Sequence, residues 1–131
     1  METGITISKQ NMVSTLTSNP LADLIKPLKT EILLFDSYVA GTSYIEDQSI
    51  FKDLKEGDAL ILQREPENRF DENAILVLDG QKRKLGYVPE RDNIVFTRIM
   101  DAGKYLMAKV DSVYPNEQFR KVNISIYLVD F

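Results

Sequence analysis

The sequence predicts a mainly β domain with helices (α+β): a small, partly closed barrel of five or six short strands, with one inserted helix and an N-terminal helical segment. Three observations carry this. Short apolar runs bounded by turn residues recur from Ile32 onward. One stretch of helical spacing interrupts them before the last two. The strand count is low for a sandwich, and an inserted helix suits the plugged end of a small barrel.

The elements run in order along the chain. Residues 1–18 are polar around an apolar cluster of Met12, Val13 and Leu16, and read as an arm or a short docking helix. Asn19-Pro20 has the chemistry of a helix start, cap then first helical position. Leu21, Leu24, Ile25 and Leu28 continue at helical spacing until Pro27 kinks or ends the segment. Residues 1–30 are therefore taken as a helical arm and 31–131 as the barrel domain. Residues 32–40 read as a strand closed by Gly41, and residues 50–55 as one or two helical turns ending before Gly57. Strands over 59–63 and 74–78 flank a polar loop, and Asp79-Gly80 signals a hairpin to a return strand over 84–88, stopped by Pro89. Asp92 or Asn93 is expected to cap a helix with Ile94, Val95, Ile99 and Ala102 facing inward and Gly103 at its end. Strands over 106–114 and 122–129 complete the domain.

Composition excludes much. The 131 residues include no cysteine and no histidine, which removes disulfides, thiolate and imidazole metal sites, and every Ser-His-Asp arrangement. No bound metal or other cofactor is expected. An enzyme would need paired carboxylates, or carboxylates around a hard cation. No apolar run reaches membrane-helix length and the start lacks a secretory pattern, so the expected address is cytoplasmic, with no membrane partner. A net charge of −4 argues against a coat for long duplex. The charge is uneven, though: residues 36–71 hold nine acids against four bases, and 72–104 hold five against six. A short stretch of strand remains compatible with that balance.

The loop from Arg64 to Ile75 sets an aromatic ring, a carboxylate and an amide side by side, a trio suited to gripping a nucleotide end. Its residues Asn68-Arg69-Phe70-Asp71-Glu72-Asn73-Ala74-Ile75, with Val39-Ala40-Gly41-Thr42-Ser43-Tyr44, Arg64-Glu65-Pro66 and Leu85-Gly86-Tyr87-Val88-Pro89, resemble the HIRAN family over about residues 32–128. The resemblance implies a modified oligonucleotide-binding (OB-like) barrel of the small stand-alone bacterial type. It implies a non-enzymatic module for single-stranded DNA, with preference for a free 3′ hydroxyl end, in DNA repair or processing. A DNA-processing protein is then a natural partner, and no small-molecule substrate is expected. Carried across by position, the nucleic-acid-binding residues are Tyr44, Asn68, Phe70, Asp71 and Tyr87. Fused members tend to carry an arginine where this chain has Ser43, an aromatic where it has Ile45 and usually proline where it has Arg69. Ser43 and Arg69 are accordingly the candidate phosphate contacts, with Arg69 placed to supply the missing charge.

The chemistry fits those roles. A terminal hydroxyl donates and the Asp71 carboxylate accepts, while the same carboxylate repels a terminal phosphate. Phe70 and Tyr44 offer faces for bases, each stack worth about 1–3 kcal/mol whatever the base. Blander readings stand beside these. Asp71-Glu72-Asn73 ties its own loop through Asx hydrogen bonds, which is compatible with a ligand. Phe70 is a core ring if the loop folds inward. Tyr44 and Tyr87 are barrel residues with wet hydroxyls. Lys82-Arg83-Lys84 is a solvated hairpin tip. Two rival functions are also open: a protein-interaction module using the acidic face over residues 46–72, and a Mg²⁺-dependent nuclease built on Glu65, Glu67, Asp71 and Glu72.

Overall fold

A computed structural model describes residues 30–115 and 120–130. The chain divides into two units, Met1–Glu31 with Asp130–Phe131, and Ile32–Val129. The expected helical arm over residues 1–30 lies almost wholly outside the described residues. The second unit holds the sheet.

Six strands form that sheet: β1 (Thr30–Tyr38), β2 (Ala59–Arg64), β3 (Ile75–Leu78), β4 (Lys84–Tyr87), β5 (Tyr105–Pro115) and β6 (Arg120–Asp130). Their order across it is β1-β6-β5-β2-β3-β4. The hairpins β2–β3, β3–β4 and β5–β6 and the β2–β5 pair are antiparallel. Helix α1 (Glu90–Asp101) carries the chain from the β4 edge back to β5. No described helix is long and apolar enough to cross a membrane.

Of the expected partly closed barrel, the mainly β sheet of six strands is found and full closure is not. The sheet is open, with β1 and β4 at its two edges. A single antiparallel bridge, Ala40 with Tyr87, links the chain just past β1 to β4. Its two backbone hydrogen bonds measure 2.7 Å and 2.9 Å. Gly86 is what permits it. A Cβ there would lie 2.3 Å from the Ala40 carbonyl oxygen, and the residue sits at φ +153°. The Gly86 hydrogen thus occupies space that no other side chain leaves free.

Burial explains the strands. All four residues of β3 are buried, because both faces of this strand are covered. In β2 the buried positions are Leu60 and Leu62, two apart, as a half-covered strand requires. The core gathers Phe51, Leu60, Ile75, Leu85, Leu106 and Ile124, with Phe96 entering from α1. Phe51 comes from a six-residue 3₁₀ segment, Gln48–Asp53, capped by the Asp47 carboxylate.

Two local expectations also give way. Helix α1 starts at Glu90 behind Pro89, ahead of the Asp92 or Asn93 cap expected for it. Its buried residues are Asn93, Phe96 and Thr97; Ile94, Val95 and Ala102 are exposed, and Ile99 is only partly covered. Apolar spacing misleads here because two inward positions are polar and hydrogen-bonded: Asn93 Nδ2 donates to Asp71 at 2.7 Å and Thr97 Oγ1 to the Asn73 carbonyl at 2.7 Å. The Asp79-Gly80 hairpin exists, yet its left-handed residue is Lys82 (φ 66°). The buried Asp79 carboxylate shapes this turn by accepting from the Gln81 and Arg83 backbone amides at 2.9 and 2.8 Å.

Candidate functional site

Three segments converge beside the Ala40–Tyr87 bridge. Gly41, left-handed at φ 78°, opens the short 3₁₀ turn Thr42–Tyr44. The loop of residues 65–74 leaves β2 and returns to β3, closed by the Glu65 amide on the Ala74 carbonyl at 3.0 Å. The end of β4 and the start of α1 supply Tyr87, Glu90 and Asn93. Between them lies a cleft of about 300 Å³ lined by Tyr44, Asn68, Phe70, Asp71 and Tyr87, with Glu90 and Asn93.

All five residues named as nucleic-acid-binding therefore share one cavity wall. The rings of Tyr44 and Phe70 are 90% and 94% exposed, so Phe70 is not a core residue. Leaving two such rings in water forgoes burial worth roughly 1.5–3 kcal/mol each. Paired at the mouth of a cleft, they form an unfilled apolar contact surface.

The loop owes its shape to side chains. Asn68 Oδ1 accepts from the backbone amides of Phe70 (2.9 Å) and Asp71 (3.0 Å), and its Nδ2 donates to Glu65 Oε1 (3.0 Å). Asp71 Oδ1 accepts from the Asn73 amide at 2.9 Å, the Asx tie expected from sequence. Its Oδ2 accepts from Asn93 at 2.7 Å. Each carboxylate oxygen has a second lone pair, so Asp71 retains acceptor capacity toward the cleft. Arg64 clamps the base of the loop, donating to the Ala74 carbonyl at 2.8 Å and pairing with Asp101 at 2.9 Å. That pairing holds the Asp101 carboxyl below its ordinary range.

Behind the cleft wall runs a second chain of contacts that sequence reasoning misses. Tyr87 donates its hydroxyl to Glu65 Oε1 at 2.9 Å. Lys84 Nζ donates to the same hydroxyl at 3.2 Å and stands 4.7 Å from the Tyr87 ring centroid. The hydrogen bond from Asn68, with that from Tyr87 and the charge of Lys84 behind it, outweighs desolvation and lowers the Glu65 pKa. In the cluster Lys82-Arg83-Lys84 both lysines are exposed, as a solvated tip requires, and Arg83 is half-buried. Arg83 is committed to Asp79 (2.7 Å) and Asp53 (3.5 Å), and Lys84 to Tyr87. Spacing gives no signal for this contact: strand alternation sets residues three apart on opposite faces, and the pair meets where the β3–β4 register shifts.

Ser43 and Arg69 are exposed neighbours of Tyr44 and Phe70 but are not among the residues lining the cleft. Arg69 makes no ion pair among the described residues. No group of three acidic side chains among the described residues is placed to share a metal ion, those of Glu65, Glu67, Asp71 and Glu72 included.

Known proteins share this architecture. The profile of the HIRAN domain matches residues 32–129. A crystal structure of a protein from Lactobacillus plantarum is similar at TM-score 0.74 and 29% identity, covering 79% of this chain and 99% of that one. The crystal structure of the HIRAN domain of human HLTF is similar at TM-score 0.61 and 19% identity, covering 76% of this chain and 78% of that one. An NMR structure of the same human domain is similar at TM-score 0.50 and 20% identity, covering 75% of this chain and 79% of that one. No curated protein matches by sequence.

Proposed function

Since the chain belongs to the HIRAN domain family, we propose that it is a DNA-binding module whose cleft receives a free 3′ hydroxyl end of a single strand. The observation that carries this reading is the pair of exposed rings, Tyr44 and Phe70, flanking a cleft with Asp71 in its wall. Bases of any identity stack on such rings, and single strands alone leave their faces free. Asp71 is the acceptor for the terminal hydroxyl, and a terminal phosphate is repelled by the same charge. Glu90, also in the lining, adds to that repulsion.

Two stacks give roughly 2–6 kcal/mol before the strand is ordered. Affinity is then on the order of micromolar or weaker, which suits a module acting beside a DNA-processing protein in repair or processing. Chemistry on the strand is assigned to that partner and not to this chain. On the acidic face, Asp47 and Asp58 accept from local backbone amides, and Asp53 is paired with Arg83.

Fluorescence anisotropy with short oligonucleotides ending in 3′ hydroxyl or 3′ phosphate tests the reading. Wild type is expected to prefer the hydroxyl end, and Asp71→Asn to narrow the gap. Equal affinity of wild type for both ends would overturn it.

A further inference from the structure

The cleft carries three carboxylates in or behind its wall, Asp71, Glu90 and Glu65, yet a strand entering it brings phosphates. Some cation must meet them, and Ser43 cannot. Of the three cations at the β3–β4 hairpin, Arg83 is engaged by Asp79 and Asp53. Lys82 holds the left-handed turn position and touches no cleft residue among the described contacts. Lys84 is the one of the three that contacts a lining residue, at 3.2 Å from the Tyr87 hydroxyl and 4.7 Å from its ring centroid.

We infer that Lys84, fixed on the Tyr87 ring, is the phosphate-contacting cation of this cleft. The inference rests on the DNA-end reading and names the group that receives the strand's backbone. A free lysine side chain loses rotamer freedom when it is held to one place. Here the ring and the hydroxyl have already restricted it in the folded protein. An ammonium carries three donors and the Tyr87 hydroxyl takes one, so the others remain for a phosphate oxygen. Tyr87 thereby serves twice: its ring walls the cleft, and its hydroxyl couples Lys84 to Glu65, which balances the charge while the cleft is empty. Arg69 and Lys84 both stand outside the lining, but Lys84 contacts a lining residue, Tyr87, through its hydroxyl and its ring.

The test is anisotropy of a short labelled oligothymidylate with a 3′ hydroxyl, titrated at several salt concentrations. One neutralised phosphate contributes about 0.7 to the slope of log K against log salt on a single strand. Lys84→Gln is expected to reduce the slope by about that amount, with the preference for hydroxyl over phosphate ends retained. Lys84→Arg should restore the slope, and Lys82→Gln should leave it at the wild-type value. Lys84→Gln and Lys82→Gln giving the same slope as wild type would overturn the inference while leaving the end preference intact. Loss of end preference in wild type itself would instead remove the underlying reading. Thermal melts of the exposed-site variants should coincide, so that a change in slope reports on charge and not on folding.

Discussion

Gly86→Ala is the most exacting test of how the cleft is assembled. An added Cβ would stand 2.3 Å from the Ala40 carbonyl oxygen and 2.8 Å from Val39 Cγ1. Real Cβ atoms essentially never approach closer than 3.0 Å, so the two backbones must part by at least 0.7 Å. That separation stretches both hydrogen bonds of the Ala40–Tyr87 bridge, now 2.7 and 2.9 Å. Losing them costs about 1 kcal/mol each, and overpacking adds about 1–3 kcal/mol. Because φ +153° also disfavours a side chain, about 3 kcal/mol is a conservative total. For a domain of this size that corresponds to a fall in Tm of roughly 12–24 °C. Circular dichroism melts would measure it, with Gly80→Ala as the control. Gly80 sits in the next turn, without a left-handed backbone and with nothing within 4 Å, and its variant should melt within about 0.5 kcal/mol of wild type. If Gly86→Ala and Gly80→Ala melted together, the bridge would not be the clasp that holds the two sheet edges.

Phe70→Ala should leave the melt unchanged, since the ring is 94% exposed, while weakening oligonucleotide binding by about 1–3 kcal/mol, read by anisotropy. Asn93→Ala removes the 2.7 Å donor to Asp71 Oδ2 from a buried position. It should cost about 1–3 kcal/mol in urea unfolding and blunt the discrimination between hydroxyl and phosphate ends. Glu65 has its pKa lowered in the folded state, chiefly by Asn68, so its ionised form contributes stability above the unfolded pKa, and that contribution is lost as pH falls through the folded value. The urea midpoint of wild type should therefore exceed that of Glu65→Gln near neutral pH, and the gap should narrow as pH falls below the ordinary glutamate range. A constant gap would rule out ionic anchoring of the loop.

The strand pattern is legible in the sequence because apolar runs and their turn residues are local signals; β2, β3 and β4 fall within one residue of expectation. How far the sheet stays open is not, since the link between its edges is one bridge between residues far apart in sequence, Ala40 and Tyr87. The inward face of α1 escapes for a related reason. Asn93 and Thr97 are buried to serve the loop of residues 65–74, and a polar residue with a distant partner looks, in sequence, like a solvent-facing one. The candidate site residues are legible through three short motifs, around Tyr44, around Asn68 to Asp71 and around Tyr87, each recognisable by itself. Lys84 is not, because its role depends on the Tyr87 ring and on the commitment of Arg83 elsewhere, facts that only three dimensions supply.

The Asx ties of Asn68 and Asp71 have a practical consequence for capturing an occupied form. Because those side chains already hold the Phe70 backbone, the loop has little left to rearrange when a visitor arrives. Crystals of the empty protein should therefore tolerate soaking with a dinucleotide without cracking, and the main chain on either side of Phe70 should superpose before and after to within about 1 Å.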